Sequence, residues 1–222
     1  MGSIGFAVRA WGRRKEGDYV RHQRFYRGLI VAVLVAGTTM LGCGTALAPA
    51  TVTASTTFAD DLSEDYAVYS ALIQKVFIDD YRWSLIVIQD FTEVPDADYF
   101  VLGDCLNAIK YQWPELGDDI VSDFSAKVQT PLALERRFDL SVDYTLVGED
   151  EAALGWPGGT GFDAFSKKYP GSLGSVRISR IGFNAAKDTA VLYLDDNAGH
   201  VMLLKKTAGG WTVQGEVELW TA

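Results

Sequence analysis

Histidine and cysteine are scarce in this 222-residue sequence, which contains two of each. Beyond residue 43 only His200 and Cys105 remain. A zinc site built from several His and Cys side chains is therefore excluded there, and a Ser-His-Asp triad could use only His200. No basic residue adjoins Cys105, whereas a nucleophilic thiolate needs a nearby cation. The sequence predicts that Cys105 is a buried, unreactive core residue.

The sequence also lacks, near its start, an apolar run long enough for a permanent membrane-spanning helix. The apolar stretch at residues 28–42 is shorter than the roughly 20 residues that such a helix needs. Residues 9–27, just before it, hold seven basic and two acidic residues, a charge of +5. The rest of the chain holds 13 basic and 27 acidic residues, a charge of −14. A basic flank before a short apolar run is typical of an export signal.

Cys43 directly follows Leu41 and Gly42 at the end of this run, as in the export signal of bacterial lipoproteins. Met40 and Leu41 depart from the usual residues of that signal, whereas Gly42 and Cys43 fit it. The sequence therefore predicts a lipoprotein-type export signal at residues 1–43, with Cys43 as the lipid-bearing N-terminus.

Two other outcomes remain open for this segment. Cleavage after Ala48 or Ala50 would yield a periplasmic or secreted protein, and an uncleaved signal would serve as an anchor. Residues 44–59 are rich in Ala, Thr and Ser and predict a flexible tether. Residues 60–222 have a normal length for one domain.

Apolar residues at helical spacing follow a helix start at residues 61–63, and further helices are expected at 98–112, 118–127 and 162–169. The pattern at residues 84–89 predicts a strand that is covered on both faces, and residues 141–147 predict a second strand. Gly155–Gly161 predicts a loop. The C-terminal part predicts four strands, at residues 176–180, 189–194, 200–205 and 211–220. We therefore expect an α+β fold, with N-terminal helices packed on one side of a mainly antiparallel sheet that ends in a four-strand meander.

Short motifs follow one another in a specific order: Ser179-Arg-Ile-Gly-Phe-Asn184, Thr189-Ala-Val-Leu-Tyr193, Leu203-Leu-Lys-Lys206, Gly210-Trp211 and Trp220. Others precede them: Tyr66-Ala-Val-Tyr69, Ile86-Val-Ile-Gln-Asp90, Asp123-Phe-Ser-Ala-Lys127 and Lys168-Tyr-Pro170. Together they resemble a family of uncharacterised bacterial exported proteins. The resemblance implies one exported α+β domain and no particular chemistry. Gln89 departs from the pattern, which has a basic residue at that position.

Carboxylates crowd the end of the predicted strand at 84–89. Asp90 and Glu93, with Asp96 and Asp98 beyond them, could perform acid–base chemistry or bind a cation, or could form a solvated acidic loop. Arg180 could hold the carboxylate of a ligand, or pair with an internal acid such as Asp90 to stabilise the fold.

Asp195, Asp196 and Asn197 could chelate calcium through their oxygens, but Asp and Asn also favour turns for their own conformational reasons. His200 is expected at the surface or at a hairpin end. The glycine-rich segment around Trp156 lacks the Gly-Lys-Ser/Thr ending of a phosphate-binding loop, and no cofactor is indicated. Trp156 itself is a candidate for an exposed aromatic contact.

The charge of −14 beyond the signal repels phosphate, which argues against a nucleic-acid partner. Our leading interpretation is an exported, membrane-tethered, non-enzymatic domain that binds an envelope protein or a small ligand, held to the membrane by lipid on Cys43. The alternative is a hydrolase or metal-dependent enzyme that uses the carboxylates near Asp90.

Overall fold

The computed structural model describes residues 57–95 and 101–221. The predicted export signal, Cys43, most of the tether, and Asp96 and Asp98 lie outside the described residues. The first helix begins at Thr57, within the last residues assigned to the tether and before the predicted start at 61–63.

Five α-helices lie in the described part of the chain: α1 (Thr57–Ile73), α2 (Val101–Gln112), α3 (Asp118–Val128), α4 (Glu149–Ala152) and α5 (Phe162–Lys168). A π-helix, Gln74–Asp80, continues α1. The predictions for α2, α3 and α5 are confirmed to within a few residues. The sequence did not indicate α4, because a helix of four residues is too short to show a period.

Within the described residues, seven strands form one mixed sheet: β1 (Leu85–Gln89), β2 (Asp143–Val147), β3 (Ser175–Ile178), β4 (Gly182–Phe183), β5 (Thr189–Asp195), β6 (Ala198–Thr207) and β7 (Gly210–Thr221). Their order is β2-β1-β3-β5-β6-β7, and β4 pairs with β5 beyond the end of β3. β1 is parallel to both β2 and β3, and the other pairs are antiparallel. The predicted α+β class and its four-strand antiparallel end, β3-β5-β6-β7, are confirmed.

Helices cover both faces of the sheet, so the expectation that they lie on one side is wrong. Successive residues of β5 belong to different cores: Leu192 packs in the cluster that contains α1, and Val191 and Tyr193 pack in the cluster that contains α2 and α3. The reason is that β5 is apolar on both faces, and each apolar face must be removed from water.

β1 is buried on both faces, as its continuous apolar sequence predicts. Ile86 and Ile88 pack on the α1 side, whereas Val87 belongs to a third apolar cluster with Val147 and Phe165 on the opposite side. Cys105 of α2 is completely buried, and burial raises the pKa of its thiol to about 12. The prediction that Cys105 is buried in the core is confirmed. In the part of the chain that the structure describes, none of the helices is both long and apolar enough to cross a membrane.

A substitution at Gly182 in β4 would test how closely the sheet packs against α3. A Cβ atom at this position would lie 2.7 Å from the backbone N and Cα of Phe124. We expect Gly182→Ala to lower the free energy of unfolding by about 1–3 kcal/mol, because the helix backbone must move to admit the methyl group. Gly103→Ala is the control, since nothing lies within 4 Å of a Cβ at Gly103 in α2. The control should be neutral or slightly stabilising in urea unfolding, and equal losses in both variants would contradict this packing.

Candidate functional site

A row of polar side chains crosses the sheet on the face that carries α2 and α3. Arg177 of β3 pairs directly with Asp195 of β5. Gln89 of β1 comes next to Arg177, because the preceding residues of the two strands, Ile88 and Val176, are partners. We call Gln89, Arg177 and Asp195 the polar row. Its members are 2%, 9% and 4% exposed, so three polar residues are buried side by side within the sheet.

An ion pair joins two members of the polar row. Arg177 Nη2 lies 2.9 Å from Asp195 Oδ2, and both side chains are almost fully removed from water. Burial raises the pKa of the Asp195 carboxyl, and the positive charge of Arg177 opposes this rise. Removing either partner would leave the other charge buried and uncompensated, which is far more costly than losing a surface pair.

Glu93 extends the polar row beyond the end of β1. Its backbone N–H donates to the Ile178 carbonyl oxygen at 2.7 Å, which holds this segment beside β3. The Gln89 Nε2 amide donates to Glu93 Oε2 at 3.2 Å. Burial raises the pKa of Glu93, against the opposing effect of the Arg177 charge, so this carboxyl holds its proton more readily than a solvated glutamic acid.

Two tryptophans lie over the other end of the row. The Arg177 guanidinium carbon is 5.3 Å from the Trp156 ring centroid. Trp156 stacks on Trp220 of β7, with ring centroids 5.8 Å apart and planes inclined by 16°. Gly199 of β6 pairs with both Asp195 and Trp220, and a Cβ atom at Gly199 would collide with the Trp220 indole. The absence of a side chain at Gly199 therefore provides the space that Trp220 occupies.

The polar row lies between two apolar clusters on the same face. One cluster consists of α2, α3 and residues of β5 and β6, including Tyr193 and Val201. The other contains Val87, Ala152 and Phe165, from β1, α4 and α5. The polar row is therefore flanked on both sides by apolar residues, where a polar group without a partner is costly.

The structure places the predicted candidates Glu93 and Arg180 in different surroundings. Glu93 lies with the polar row, whereas Arg180 acts electrostatically on Tyr69 of α1, which belongs to the core on the other face. Asp90 uses its backbone N–H and carbonyl oxygen to bond Val147 and Leu134. Its buried Oδ1 atom and the buried Nε atom of Arg180 have no hydrogen-bond partner among the described residues.

The candidate calcium ligands at the β5–β6 turn interact with separate basic groups. Asp195 pairs with Arg177, and Asp196 Oδ1 lies 3.4 Å from His200 Nε2. Asn197 has a positive φ of 103°, a conformation that Asn tolerates in tight turns. Within residues 57–95 and 101–221, no group of three or more His, Cys, Asp and Glu side chains is arranged to hold a metal ion.

His200 lies in an acidic environment on the α1 face of the sheet. Its Nδ1 atom is 2.7 Å from Glu216 Oε1 of β7, in addition to the contact with Asp196. Burial opposes the charged imidazolium, but the carboxylates of Asp196, Glu216 and Glu218 outweigh burial and raise the pKa of His200. The protonated side chain therefore links the β5–β6 turn to β7.

Sequence reasoning missed Arg177 and Trp220 as members of a site. The sequence pattern places Arg177 in a strand but gives it no functional role, although a charged residue inside an apolar strand is itself a signal of a buried pair. Trp220 gave no such signal. Its proximity to Trp156 depends on the pairing of β7 with β6, which brings together residues distant in sequence.

Comparisons of the chain with protein-family models, with curated proteins and with solved structures find no match.

Because the ion pair of the polar row is buried, substitution of either partner should lower the free energy of unfolding substantially. We expect Arg177→Met and Asp195→Leu each to lower the free energy of unfolding by about 3–5 kcal/mol, because each leaves a buried charge without its partner. In the double variant the free energy of unfolding should fall by less than the sum of the two single losses, since both charges are removed. Urea unfolding measures all three.

Lys75→Met is the control for this cycle, because the Lys75–Asp80 pair is about half exposed on both sides. Lys75→Met should lower the free energy of unfolding by less than about 1 kcal/mol. A strictly additive double variant would contradict the coupling of Arg177 and Asp195.

The raised pKa of His200 predicts that the free energy of unfolding depends on pH. Because its pKa in the folded state is raised above the ordinary value of 6.5, its ion pairs stabilise the fold fully below pH 6.5. This contribution is lost as the pH rises through the folded-state pKa. The difference in unfolding free energy between the wild type and His200→Gln should therefore shrink as the pH rises. A difference that is constant or grows with pH would contradict the raised pKa.

Proposed function

We propose that this protein is an exported domain, tethered to the membrane by lipid on Cys43, that binds an envelope protein or a small ligand without transforming it. The observation that carries the binding function is the polar row with its cover of Trp156 and Trp220. Arg177 and Asp195 compensate each other's charge, and Gln89 engages Glu93. Such mutual pairing favours binding over chemical transformation, because it leaves the buried groups little freedom to reorganise.

Export and tethering are supported by the sequence features of residues 1–59. The basic flank, the short apolar run and Cys43 are in the order that a lipoprotein signal requires. The tether at 44–59 would let the folded part stand away from the membrane. The acidic charge beyond the signal supports solubility and argues against nucleic acid as a partner.

A hydrolase that uses the carboxylates near Asp90 is the second candidate function. One observation favours it: burial raises the pKa of Glu93, and a carboxyl that holds its proton can act as a general acid. The test is the turnover of chromogenic esters and glycosides by the purified full chain and by Glu93→Gln. Turnover that disappears in Glu93→Gln would support the enzyme and contradict the non-enzymatic function.

The tether predicts a lipid at Cys43. We expect the protein from the membrane fraction of a bacterial host to have Cys43 as its N-terminal residue, with a mass increase that corresponds to a diacylglycerol group, by mass spectrometry of the N-terminal peptide. Cys43→Ser should lose this modification, because the thiol that carries the acyl chains is gone. Gly44→Ser is the matched control and should remain lipidated. An unmodified N-terminus at Pro49 or Thr51 would contradict the tether.

A further inference from the structure

The second half of β7 is paired irregularly with the rest of the sheet. β7 is the last strand in the sheet order, and among the described residues β6 is its one pairing partner. The register of the β6–β7 pair skips Gln214 and Leu219, so an irregularity stands on either side of residues 215–218. A register shift of this kind leaves a residue unpaired and disrupts the ladder. Side-chain contacts must therefore help to hold residues 215–221, which we call the β7 end, on the sheet.

The ring of His200 in β6 contacts a carboxylate with each of its two nitrogens. Its Nδ1 atom lies 2.7 Å from Glu216 Oε1 in the β7 end, and its Nε2 atom lies 3.4 Å from Asp196 Oδ1 in the β5–β6 turn. A ring nitrogen without a hydrogen would turn its lone pair toward the carboxylate oxygen, which is repulsive. The neutral imidazole has one N–H group, whereas the charged form has two. Both contacts are therefore favourable together only when His200 is protonated.

Acidic groups face His200 from the elements that pack around it. They are Asp196 of the β5–β6 turn, Glu216 and Glu218 of β7, and the hydroxyl of Tyr81 just after the π-helix, which interacts with the same carboxylates. Two further aspartates in this region already have basic partners, since Asp195 pairs with Arg177 and Asp80 pairs with Lys75. Loss of the proton from His200 therefore leaves the carboxylates beside it to repel one another.

We propose that His200 is a proton-dependent switch, which holds the β7 end on the sheet while the imidazole is charged and releases it when the imidazole is neutral. The carboxylate that the neutral ring releases is that of Glu216. The Glu216 side chain is 51% exposed and can turn into water, whereas the Asp196 side chain is 11% exposed and would be costly to leave without a partner. The neutral ring therefore keeps its one N–H group on Nε2, toward Asp196.

Release means more frequent local opening of the β7 end, because apolar packing still holds it. Val217 and Leu219 pack against the cluster that contains α2 and α3. Trp220 stacks on Trp156 with ring centroids 5.8 Å apart, so each opening separates the two indoles. Local openings of this kind cost less free energy than global unfolding. The switch lies outside the proposed function and does not depend on it.

The charges around His200 set the direction in which pH acts on the switch. Burial lowers the pKa of His200, but the neighbouring carboxylates outweigh burial and raise the pKa above its ordinary value of 6.5. The imidazole is therefore charged below pH 6.5. The β7 end is released as the pH rises through the folded-state pKa of His200.

The experiment is hydrogen–deuterium exchange of the purified full chain, followed by mass spectrometry of its peptides, over a series from about pH 5.5 to about pH 8.5. Labelling times are scaled to cancel the effect of pH on the intrinsic exchange rate. We expect the β7 end to exchange about threefold faster or more at the highest pH, because its open state is then more populated. The peptide that covers β5 should exchange equally throughout. NMR of the His200 ring, identified by its absence in His200→Gln, should give a titration midpoint that coincides with the midpoint of release.

Two variants should lose most of the pH response of the β7 end. His200→Gln has no ring proton to lose, and Glu216→Gln removes the charge that the imidazolium holds. Asp150→Asn is the matched control, because it removes an exposed carboxylate from α4 and should respond to pH as the wild type does. Urea unfolding confirms that each variant is folded, and Glu216→Gln provides the test if His200→Gln does not fold.

Five results would overturn the switch. These are exchange of the β7 end that does not change with pH, an equal change in β5, a pH response that persists in a folded His200→Gln or Glu216→Gln variant, an equal loss of response in Asp150→Asn, and a midpoint of release that differs from the titration midpoint of His200. The equal loss in Asp150→Asn would assign the effect to the overall charge of the protein. A different midpoint would assign it to another titrating group.

Discussion

The buried ion pair of Arg177 and Asp195 joins the two halves of the sheet. β3, which carries Arg177, pairs in parallel with β1 and antiparallel with β5, and so marks the change from the parallel to the antiparallel part. Asp195 stands on the antiparallel side of this boundary. The pair therefore favours one register between β3 and β5, because a slip by one residue would leave both charges buried without a partner. The positions of Glu93 and Trp156 next to Arg177 depend on the same register.

Two consecutive aspartates stabilise the turn after β5, and each forms an ion pair on a different face of the sheet. Asp195 reaches Arg177 on the face of α2 and α3, and Asp196 reaches His200 on the face of α1. Neighbouring residues at the end of a strand point to opposite faces, so one pair of acids can serve two separate networks. The geometry of this turn also sets the position of Gly199, and through Gly199 that of Trp220.

The proposed function and the geometry of the polar row are physically consistent. Under the proposed function, a lipid at Cys43 and a flexible tether would place the folded domain near the outer side of a membrane. The polar row is buried, and its two opposite charges compensate each other. Such pairing favours recognition, because few groups must be ordered when a ligand binds.

The sequence by itself determined the α+β class, the main strands and the burial of Cys105, because local patterns of apolar and polar residues carry that information. It could not determine that helices cover both faces, since the choice of face depends on how distant elements pack. β4, with two residues, and α4, with four, are too short to show a period. At the site, the sequence singled out Glu93 and Trp156 but not their common partner, Arg177. Only the tertiary structure placed Gln89, Arg177 and Asp195 side by side, because strand pairing joins residues that lie far apart along the chain.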